Sequence, residues 1–523
     1  MANFDFNRYV WRKDADVAGR YIREAGGGEV IEDIWKLTKH GEQNLFLGIQ
    51  ATLSVPIEAA LLHEHVKHAW TSLRWEVPII AATTSHIWHT DKPPTAFIVY
   101  DVGKSHSDVD KWVSETLEVK ADYKNKTLDD LRYDIGQEPI PVNDYDRQTF
   151  LYLVPYTPTT FGLLLRTAHT TVDGSGIKIW LTKLLTHLEK YISHSKYRHG
   201  QKESFKWGTE GERLLPIITE VLRKHEPAVV ENGVVISEEL PVEPRDGKEY
   251  FETLQGVMGG IVEGHSRQHL FKSFIQPPFD PATSKPKTKR CERRFSVEDS
   301  VKIKAAGYNL DPNNKLTINH IVHGTLSLLP LFDNPPAPDS DGAVFYYGLA
   351  DGRKRLAKEY RGPLDYPGYC LGVSGLQIPI SIFNKYSTGD KKTLVYEFAK
   401  EMKKEYLKQA AYPALVGIEA QQGDIMLHAP PPPPWAGPGY SADGKGSLYL
   451  YPKYPPAEEG PVVVEITDFF LGLNKCDPGP FFRCYEWNGS IVFSVDYNEY
   501  AVAEKVINEW MDMWVDLTSA ITK

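Results

Sequence analysis

The stretch that decides the fold is Ala168-His169-Thr170-Thr171-Val172-Asp173-Gly174-Ser175-Gly176. Before it, Phe161, Leu163 and Leu165 recur at a period of two, which predicts a strand with one apolar face. After it, apolar residues recur at helical spacing between Ile177 and Ile192, which predicts an amphipathic helix. The stretch is therefore predicted to be a strand-to-helix turn, where glycines permit positive φ and close approach of the backbone.

This turn contains a histidine and an aspartate, His169 and Asp173, in an H-x-x-x-D-G pattern. A neutral imidazole at the end of a strand can accept a proton from an attacking hydroxyl, because its unperturbed pKa is about 6.5. Asp173 can fold back under His169, or it can pair with a cation that fixes the turn. The competing interpretation is a core histidine beside a helix-capping aspartate, and the turn alone leaves both open.

Length and composition predict a large globular protein and disfavour a general nucleic-acid binder. The 523 residues suffice for roughly two to four domains. Lys and Arg total 59 against 69 Asp and Glu, which gives a net charge of −10. The four cysteines form no C-x-x-C pair, as in a cytosolic protein with reduced thiols. The first residues lack a signal-peptide pattern and no long apolar run occurs, so we expect a cytoplasmic protein without a membrane span.

Neither a metal site nor a nucleotide-binding loop is predicted. His63, His65 and His68 lie on one predicted helix, but Lys67 stands where H-E-x-x-H requires its second histidine. The G-x-G-x-x-G and P-loop patterns are absent from the sequence. We therefore expect no bound metal and no bound cofactor.

The rest of the pattern is mixed α/β and divides the chain into two halves. Helices are predicted near Asp14–Ala25 and over Glu210–His225, and Asn488-Gly489 predicts a type I′ hairpin. Between His194 and Arg294 the sequence becomes turn-rich, as in a connection between domains. The predicted parts are an N-terminal half (1–194), a crossover (195–294) and a C-terminal half (295–523).

A basic run closes the crossover. It consists of Lys285, Lys287, Lys289, Arg290, Arg293 and Arg294. The plain interpretation is a solvated loop, because runs of like charge usually lie on the surface. The sharper interpretation is a loop that meets the phosphates of a CoA-type molecule, with Lys287, Lys289 and Arg290 as the contacts.

Three segments, taken in this order, resemble one superfamily. They are His169–Gly174, then Asp351-Gly352-Arg353-Lys354-Arg355 followed by Pro367–Gly372, then Asp468-Phe469-Phe470-Leu471-Gly472. They are similar to motifs of the CoA-dependent acyltransferases with the chloramphenicol acetyltransferase-like fold, which include plant BAHD enzymes and peptide-synthetase condensation domains. The resemblance covers most of the chain.

The resemblance implies an α/β fold of two similar halves with a tunnel active site between them. It implies that His169 is the general base, and that Asp173 looks away from the substrate and holds the turn through an arginine. Arg353 is the best match for that arginine, and Arg355 and Arg166 are the alternatives. The other residues that it implies to be structural are Gly174, Asp468 and Gly472.

Two departures from the family patterns refine this expectation. The Asp468–Gly472 segment lacks the middle glycine and the tryptophan of D-F-G-W-G. Condensation domains usually carry a second histidine where this chain has Ala168, which favours free acyl-CoA and an alcohol over carrier-bound substrates. The long crossover and the C-terminal segments Asp468–Asn474 and Asp477–Gly489 resemble the fungal branch typified by trichothecene 15-O-acetyltransferase.

The expected function is an O-acyltransferase of fungal secondary metabolism, of the kind used in mycotoxin biosynthesis. It would move an acetyl or other short acyl group from acyl-CoA to a hydroxyl of a small hydrophobic alcohol, with acetyl-CoA as cosubstrate. We expect a monomer. The alternatives are a carrier-protein-dependent condensation enzyme that forms an amide or ester, and a non-catalytic binding member of the fold.

Overall fold

The computed structural model describes residues 4–194, 204–231, 234–276, 278, 280, 285, 287–310, 315–430, 435–456 and 458–523. Within these residues the α-helices are, in chain order, α1 (Gly28–Thr38), α2 (Ala59–Glu76), α3 (His106–Thr116), α4 (Leu128–Gly136), α5 (Gly174–Ser193), α6 (Gly247–Arg267), α7 (Val297–Asn309), α8 (Ile318–Leu326), α9 (Leu329–Asp333), α10 (Ile380–Tyr386), α11 (Lys391–Ala411), α12 (Glu419–His428) and α13 (Glu504–Ala520). None of these helices is long and apolar enough to cross a membrane.

The strands of the same residues are β1 (Arg12–Lys13), β2 (Arg20–Glu24), β3 (Leu45–Leu53), β4 (Thr83–Ile87), β5 (Thr95–Asp101), β6 (Leu117–Val119), β7 (Thr149–Thr157), β8 (Thr160–Thr167), β9 (Val229–Glu231), β10 (Val234–Ser237), β11 (Thr288–Arg294), β12 (Ala343–Asp351), β13 (Leu371–Pro379), β14 (Gly439–Lys445), β15 (Lys453–Tyr454), β16 (Val464–Leu473), β17 (Phe481–Trp487) and β18 (Ser490–Asn498).

A six-stranded sheet contains the strand that leads into the His169 turn. Its order is β15-β16-β3-β8-β7-β6, and all neighbours are antiparallel except the parallel pair β6 and β7. Phe161, Leu163 and Leu165 of β8 belong to one core with Trp180 and Leu184 of α5, so the predicted apolar faces of the strand and the helix meet. A central, doubly paired strand is therefore the base on which the turn is held.

A second core lies among the strands and helices of the C-terminal half, together with β11 at the end of the crossover. The sheet here has the order β11-β18-β17-β14, and a separate pair joins β12 and β13. Trp514 of α13 stacks on Phe493 of β18 with ring centroids 3.8 Å apart. The predicted hairpin between β17 and β18 is confirmed, because Asn488 and Gly489 both have the positive φ that a type I′ turn requires (48° and 82°).

Strand β16 belongs to the C-terminal half in sequence but pairs in the sheet of the N-terminal half. It lies between β15 and β3, with Asp468 opposite Gln50 and Gly472 opposite Phe46. The pairing register shifts between Ile466 and Asp468, as at a β-bulge. The three-part division of the chain stays a prediction, and its first boundary, between residues 194 and 195, lies at the edge of the described residues.

Two predicted helices are wrong. Residues near Asp14–Ala25 contain strand β2, which pairs with β5 and places Ile22 opposite Val99, so sheet pairing overrides the local helical pattern. The segment Glu210–His225 contains two short 3₁₀ turns, Glu210–Arg213 and Ile218–Glu220. Pro216 lies between them, and a proline disfavours helical backbone at the preceding residue and lacks the N–H that a continuous helix needs.

Candidate active site

The turn between β8 and α5 has the form that the sequence predicts. β8 ends at Thr167 and α5 begins at Gly174, so His169 lies in the connection. Asp173 is the N-cap of α5, where its Oδ1 accepts hydrogen bonds from the backbone N–H groups of Ser175 at 3.0 Å and Gly176 at 2.6 Å. These hydrogen bonds fix the start of α5 directly after Asp173, which lies four positions after His169.

Arg353 binds the same carboxylate and joins the first two motif segments. Its Nη1 donates to Asp173 Oδ2 at 3.0 Å and its Nη2 donates to Oδ1 at 2.9 Å. The backbone N–H of Cys370 donates to Oδ2 at 2.8 Å. The two charged side chains are only 0% and 2% exposed. Burial opposes ionisation of Asp173, but the Arg353 guanidinium and the N–H donors outweigh it and lower the pKa of Asp173.

The contacts distinguish among the three candidate arginines. Arg353 also donates to the carbonyls of Tyr366 and Gly368, at 2.9 and 2.7 Å, so its position is determined from several sides. Arg355 instead binds Glu243 at 2.8 Å. Arg166 donates to the backbone carbonyl of Glu138. Of the three, Arg353 is the arginine that contacts Asp173. The sequence left two roles open for Asp173, and the structure agrees with the one in which Asp173 pairs with a cation that fixes the turn.

His169 is buried in this turn and is 9% exposed. Its ring meets the ring of Tyr369 edge to face, with centroids 5.7 Å apart. Burial lowers the pKa of His169 to about 4 and the charge of Arg483 acts in the same direction, whereas a hydrogen bond to its own backbone and the charge of Asp173 oppose them. No other residue in the described ranges forms a hydrogen bond with its Nδ1. The imidazole is therefore neutral at pH 7, which is the protonation state that a general base needs.

The third motif segment reaches the turn through Leu471 of β16. A Cβ on Gly174 would lie 3.2 Å from the Leu471 side chain, closer than ordinary van der Waals contact, so the glycine lets this helix start pack closely against the strand. Gly472 faces the buried Asp496 carboxylate, whose Oδ1 would lie 3.3 Å from an added Cβ. Asp468 has a different environment: its half-exposed carboxylate forms an ion pair with Arg294 at 2.8 Å.

The basic run at the end of the crossover is mainly a strand, so the prediction that it forms a loop is wrong. Strand β11 pairs with β18 along its whole length, and these backbone bonds favour the extended form over a solvated loop. Lys289 lies 2.9 Å from Glu504 and 3.3 Å from Glu499. Arg290 is paired with Glu292, and its guanidinium lies 5.1 Å from the centre of the Phe470 ring.

Carboxylates also pair with Lys285, Arg293 and Arg294 of this run. Lys285 binds Glu138 at 2.5 Å and Arg293 binds Asp512 at 2.7 Å. Lys287 is half-buried, and its carbonyl accepts a hydrogen bond from the backbone N–H of Glu499. The acidic partners reduce the positive field at this strand, and contact of Lys287, Lys289 and Arg290 with CoA phosphates stays a prediction.

Three acidic and phenolic residues were not singled out by the sequence: Tyr369, which contacts His169, and two glutamates around Tyr369. Tyr369 was quoted only as part of the second motif segment. Glu32 lies on α1 and Glu419 begins α12, and both are buried. No periodicity or spacing in the sequence links these three residues, which come together only in the folded chain.

Across the described part of the chain, no group of three His, Cys, Asp or Glu side chains could hold a metal ion.

Comparisons with known proteins identify the fold. No protein-family model matches the chain, and no curated protein matches it. The solved structure of the trichothecene 15-O-acetyltransferase TRI3 from Fusarium sporotrichioides is similar, with a TM-score of 0.81 and 17% sequence identity over 100% of both chains.

Domains of peptide synthetases are also similar over nearly the whole chain. The EpoB cyclization-docking bidomain from Sorangium cellulosum has a TM-score of 0.59 and 13% identity, covering 96% of this chain and 85% of its own. The first condensation domain of the calcium-dependent antibiotic synthetase has a TM-score of 0.59 and 9% identity, covering 95% and 97%. The chain therefore has the two-lobed, mixed α/β fold of the chloramphenicol acetyltransferase-like proteins, and the predicted fold class is confirmed.

Proposed function

We propose that this protein is an acyl-CoA-dependent O-acyltransferase, with His169 as the general base. It moves an acetyl or other short acyl group from acyl-CoA to a hydroxyl of a small hydrophobic alcohol. The observation that carries the proposal is the neutral, buried imidazole of His169 on a turn that Asp173 and Arg353 hold between the two motif segments. The fold shared with an acetyltransferase over the whole chain supports it.

The reaction needs a single proton carrier. The imidazole of His169 accepts the proton of the acceptor hydroxyl as its oxygen attacks the thioester carbonyl. The tetrahedral intermediate then collapses, the C–S bond breaks, and the imidazolium returns the proton to the leaving thiolate. The products are an ester and free CoA, and no covalent bond to the protein forms. Asp173 and Arg353 act as positioning residues, because both are committed to each other and to the turn.

The proposed acceptor is a hydrophobic, polycyclic secondary metabolite, with a trichothecene that carries a free 15-hydroxyl as the first candidate. The similarity to TRI3 supports this choice, since that protein is a trichothecene 15-O-acetyltransferase. Ala168 stands directly before His169, which supports free acyl-CoA over a carrier-bound donor as the resemblance implies. We further propose a monomeric, cytoplasmic enzyme of fungal secondary metabolism, in which the substrates reach His169 through a tunnel between the halves.

The direct test measures thiol release from acetyl-CoA in the presence of candidate alcohols, with mass-spectrometric detection of the ester. We expect release with an alcohol and its loss in His169→Ala. His225→Ala is the matched control, because it removes an exposed histidine that pairs with Glu239. Transfer only from a phosphopantetheinyl carrier protein would instead support the condensation alternative. Binding of the alcohol without transfer from either donor would support the non-catalytic alternative.

A further inference from the structure

Tyr369 and Glu419 meet at the N-terminus of helix α1, beside His169. The Tyr369 ring packs edge to face on the His169 ring at 5.7 Å. The Tyr369 hydroxyl occupies the space that a Cβ atom on Gly28 would need. The Glu419 carboxyl occupies the space that a Cβ atom on Gly27 would need. Gly27 has a φ of +56°, a conformation that glycine adopts at little cost. The two glycines thus bring a phenol and a carboxyl to adjacent positions, and the ring of that phenol contacts the proposed base.

Both carboxyls around Tyr369 have an oxygen without a partner. Glu419 Oε1 accepts a hydrogen bond from the backbone N–H of Gly28, but its Oε2 is buried and unpaired within the described ranges. Glu32 lies one helical turn after Gly28, on the same face of α1. Its Oε2 is also buried and has no partner among the described residues. The two side chains are 7% or less exposed.

An ionised carboxylate would be costly in this position. Leaving a buried charge without a partner is strongly unfavourable, so such a group takes up a proton instead. The cation near Glu419 is Arg23, which is already bound to Glu29 through two hydrogen bonds of 2.6 and 2.7 Å. The cations near Glu32 are Lys475 and Lys39, which are bound to Glu42 and Asp477. Burial raises the pKa of Glu419 to about 8, and it raises the pKa of Glu32 well above its ordinary value. Burial therefore favours the protonated form of both side chains, which carries an O–H group.

Tyr369 is a third O–H group in the same place. Burial raises the pKa of Tyr369, so the phenol stays neutral. The phenol that contacts the imidazole and the two carboxyls around that phenol can therefore each donate a hydrogen bond to an uncharged oxygen. A ligand that lacks such an oxygen would leave these buried groups unpaired, which a binding site penalises strongly.

We propose that Glu419, Tyr369 and Glu32 bind a second oxygen of the acceptor, either a hydroxyl, a carbonyl or an ether, next to the hydroxyl that is acylated. The site selects vicinal diols and other polyoxygenated alcohols over simple monohydric alcohols. The inference rests on the proposed function, because it names the chemical class of the acceptor for the same site.

The proposal includes a pH dependence with a defined sign. As the pH rises through the pKa of Glu419, near 8, the carboxyl loses the proton that it donates, and selection of the second oxygen weakens. The groups that act on this carboxyl are the Gly28 N–H and Arg23, which favour its ionised form, and Glu29, which opposes it. Tyr369 packs beside it and stays protonated. Glu419→Gln keeps an oxygen for the Gly28 N–H and an N–H donor that does not titrate, so its selectivity should not change with pH.

The test compares trans-1,2-cyclohexanediol, cyclohexanol and trans-2-aminocyclohexanol as acceptors with acetyl-CoA. In the wild type we expect kcat/KM for the diol to exceed that for cyclohexanol by ~10-fold or more, the value of one good hydrogen bond. Tyr369→Phe removes a single hydroxyl and should reduce this ratio to about 1–3. Tyr308→Phe is the matched control, because Tyr308 is exposed on α7 and binds Lys315. An unchanged ratio in Tyr369→Phe would overturn the proposal.

A binding measurement separates this inference from the proposed function. Saturation-transfer NMR without acyl-CoA gives the affinities of the same three compounds for folded wild type, Tyr369→Phe and Glu419→Gln. Preferential binding of the diol that is lost in Tyr369→Phe supports the inference. This holds even if no thiol is released with any alcohol, because a lack of thiol release counts only against the proposed function. A preference for the amino alcohol that is lost in Glu419→Gln would show that the site binds a cation, and it would overturn the oxygen-binding proposal.

Discussion

Replacing Asp173 by Asn tests the central junction of the molecule. The Asp173 carboxylate accepts hydrogen bonds from the backbone N–H groups of Ser175, Gly176 and Cys370 and from both terminal nitrogens of Arg353. Asparagine has nearly the same shape but carries no charge. If its oxygen stays at the helix cap, its amide nitrogen replaces Oδ2 and faces the Cys370 N–H and Arg353 Nη1, which are also donors.

The expected cost follows from burial. Each buried donor that loses its acceptor costs about 1–3 kcal/mol, and here two donors are affected. Removing one partner of a buried ion pair costs about 3–5 kcal/mol in total, because the guanidinium remains without compensation. We therefore expect the free energy of unfolding to fall by about 3–5 kcal/mol, a large share of the ~5–15 kcal/mol that stabilises most folded proteins.

The assay is urea unfolding followed by tryptophan fluorescence. Trp180 of α5 is a reporter for this junction, because its indole N–H donates to the carbonyl of Pro367 at 2.6 Å. Asp390→Asn is the matched control: Asp390 caps α11 through the N–H groups of Lys392 and Thr393, but it is exposed, and it pairs with no buried arginine among the described residues. Since asparagine caps helices about as well as aspartate, this control should unfold almost like the wild type.

Two results would refute the reasoning. If Asp173→Asn unfolds like the wild type while only the rate of acyl transfer falls, Asp173 acts in the chemistry and does not hold the turn. A double-mutant cycle gives the second check. Adding Arg353→Met to Asp173→Asn should cost less than Arg353→Met alone, because the first change already removes the ion pair. Strictly additive costs would show that the two charges do not stabilise each other.

The remaining predictions concern the proposed catalysis. His169→Ala should lower the rate of acyl transfer by ~10²–10⁴-fold while the melting temperature stays near that of the wild type, and near-normal turnover in the folded variant would exclude a general base at this position. Because a general base must be deprotonated and burial lowers the pKa of His169 to about 4, kcat/KM should fall only as the pH drops towards 4. A midpoint near 6.5 would instead indicate a histidine with an ordinary pKa. The enzyme is incubated briefly at each pH, and recovery of activity at pH 7 shows that it has not unfolded. Lys287→Glu with Lys289→Glu should raise the KM for acyl-CoA and leave the KM for the acceptor unchanged, and in the wild type added salt should weaken CoA binding. Arg290 is left intact because it is buried and paired with Glu292, and an unchanged KM for acyl-CoA would remove this strand from the CoA site. EDTA should leave activity unchanged, and a chelator-sensitive enzyme would contradict a mechanism that needs only His169.

The local order of the site was predictable from the sequence. The apolar period of two before His169 and the helical period after Asp173 indicate β8, the turn and α5, and the structure contains these elements at nearly the predicted bounds. The Asn488-Gly489 turn was predictable for the same reason. In each case the information lies in neighbouring residues, since side-chain periodicity and the φ preference of glycine and asparagine act over a few positions.

The contacts that complete the site depended on the tertiary structure. Three arginines were candidates for Asp173, and only the fold brings Arg353, 180 positions along the chain, to its carboxylate. Strand β16 likewise pairs with β3 across more than 400 residues, and no local pattern specifies that neighbour. Glu419 lies 391 positions from Gly28, whose N–H it binds. Such pairs form because burial of one shared core brings distant segments together. A buried charge or polar group without a partner is costly, so it pairs with a side chain or backbone group of the segment that packs against it.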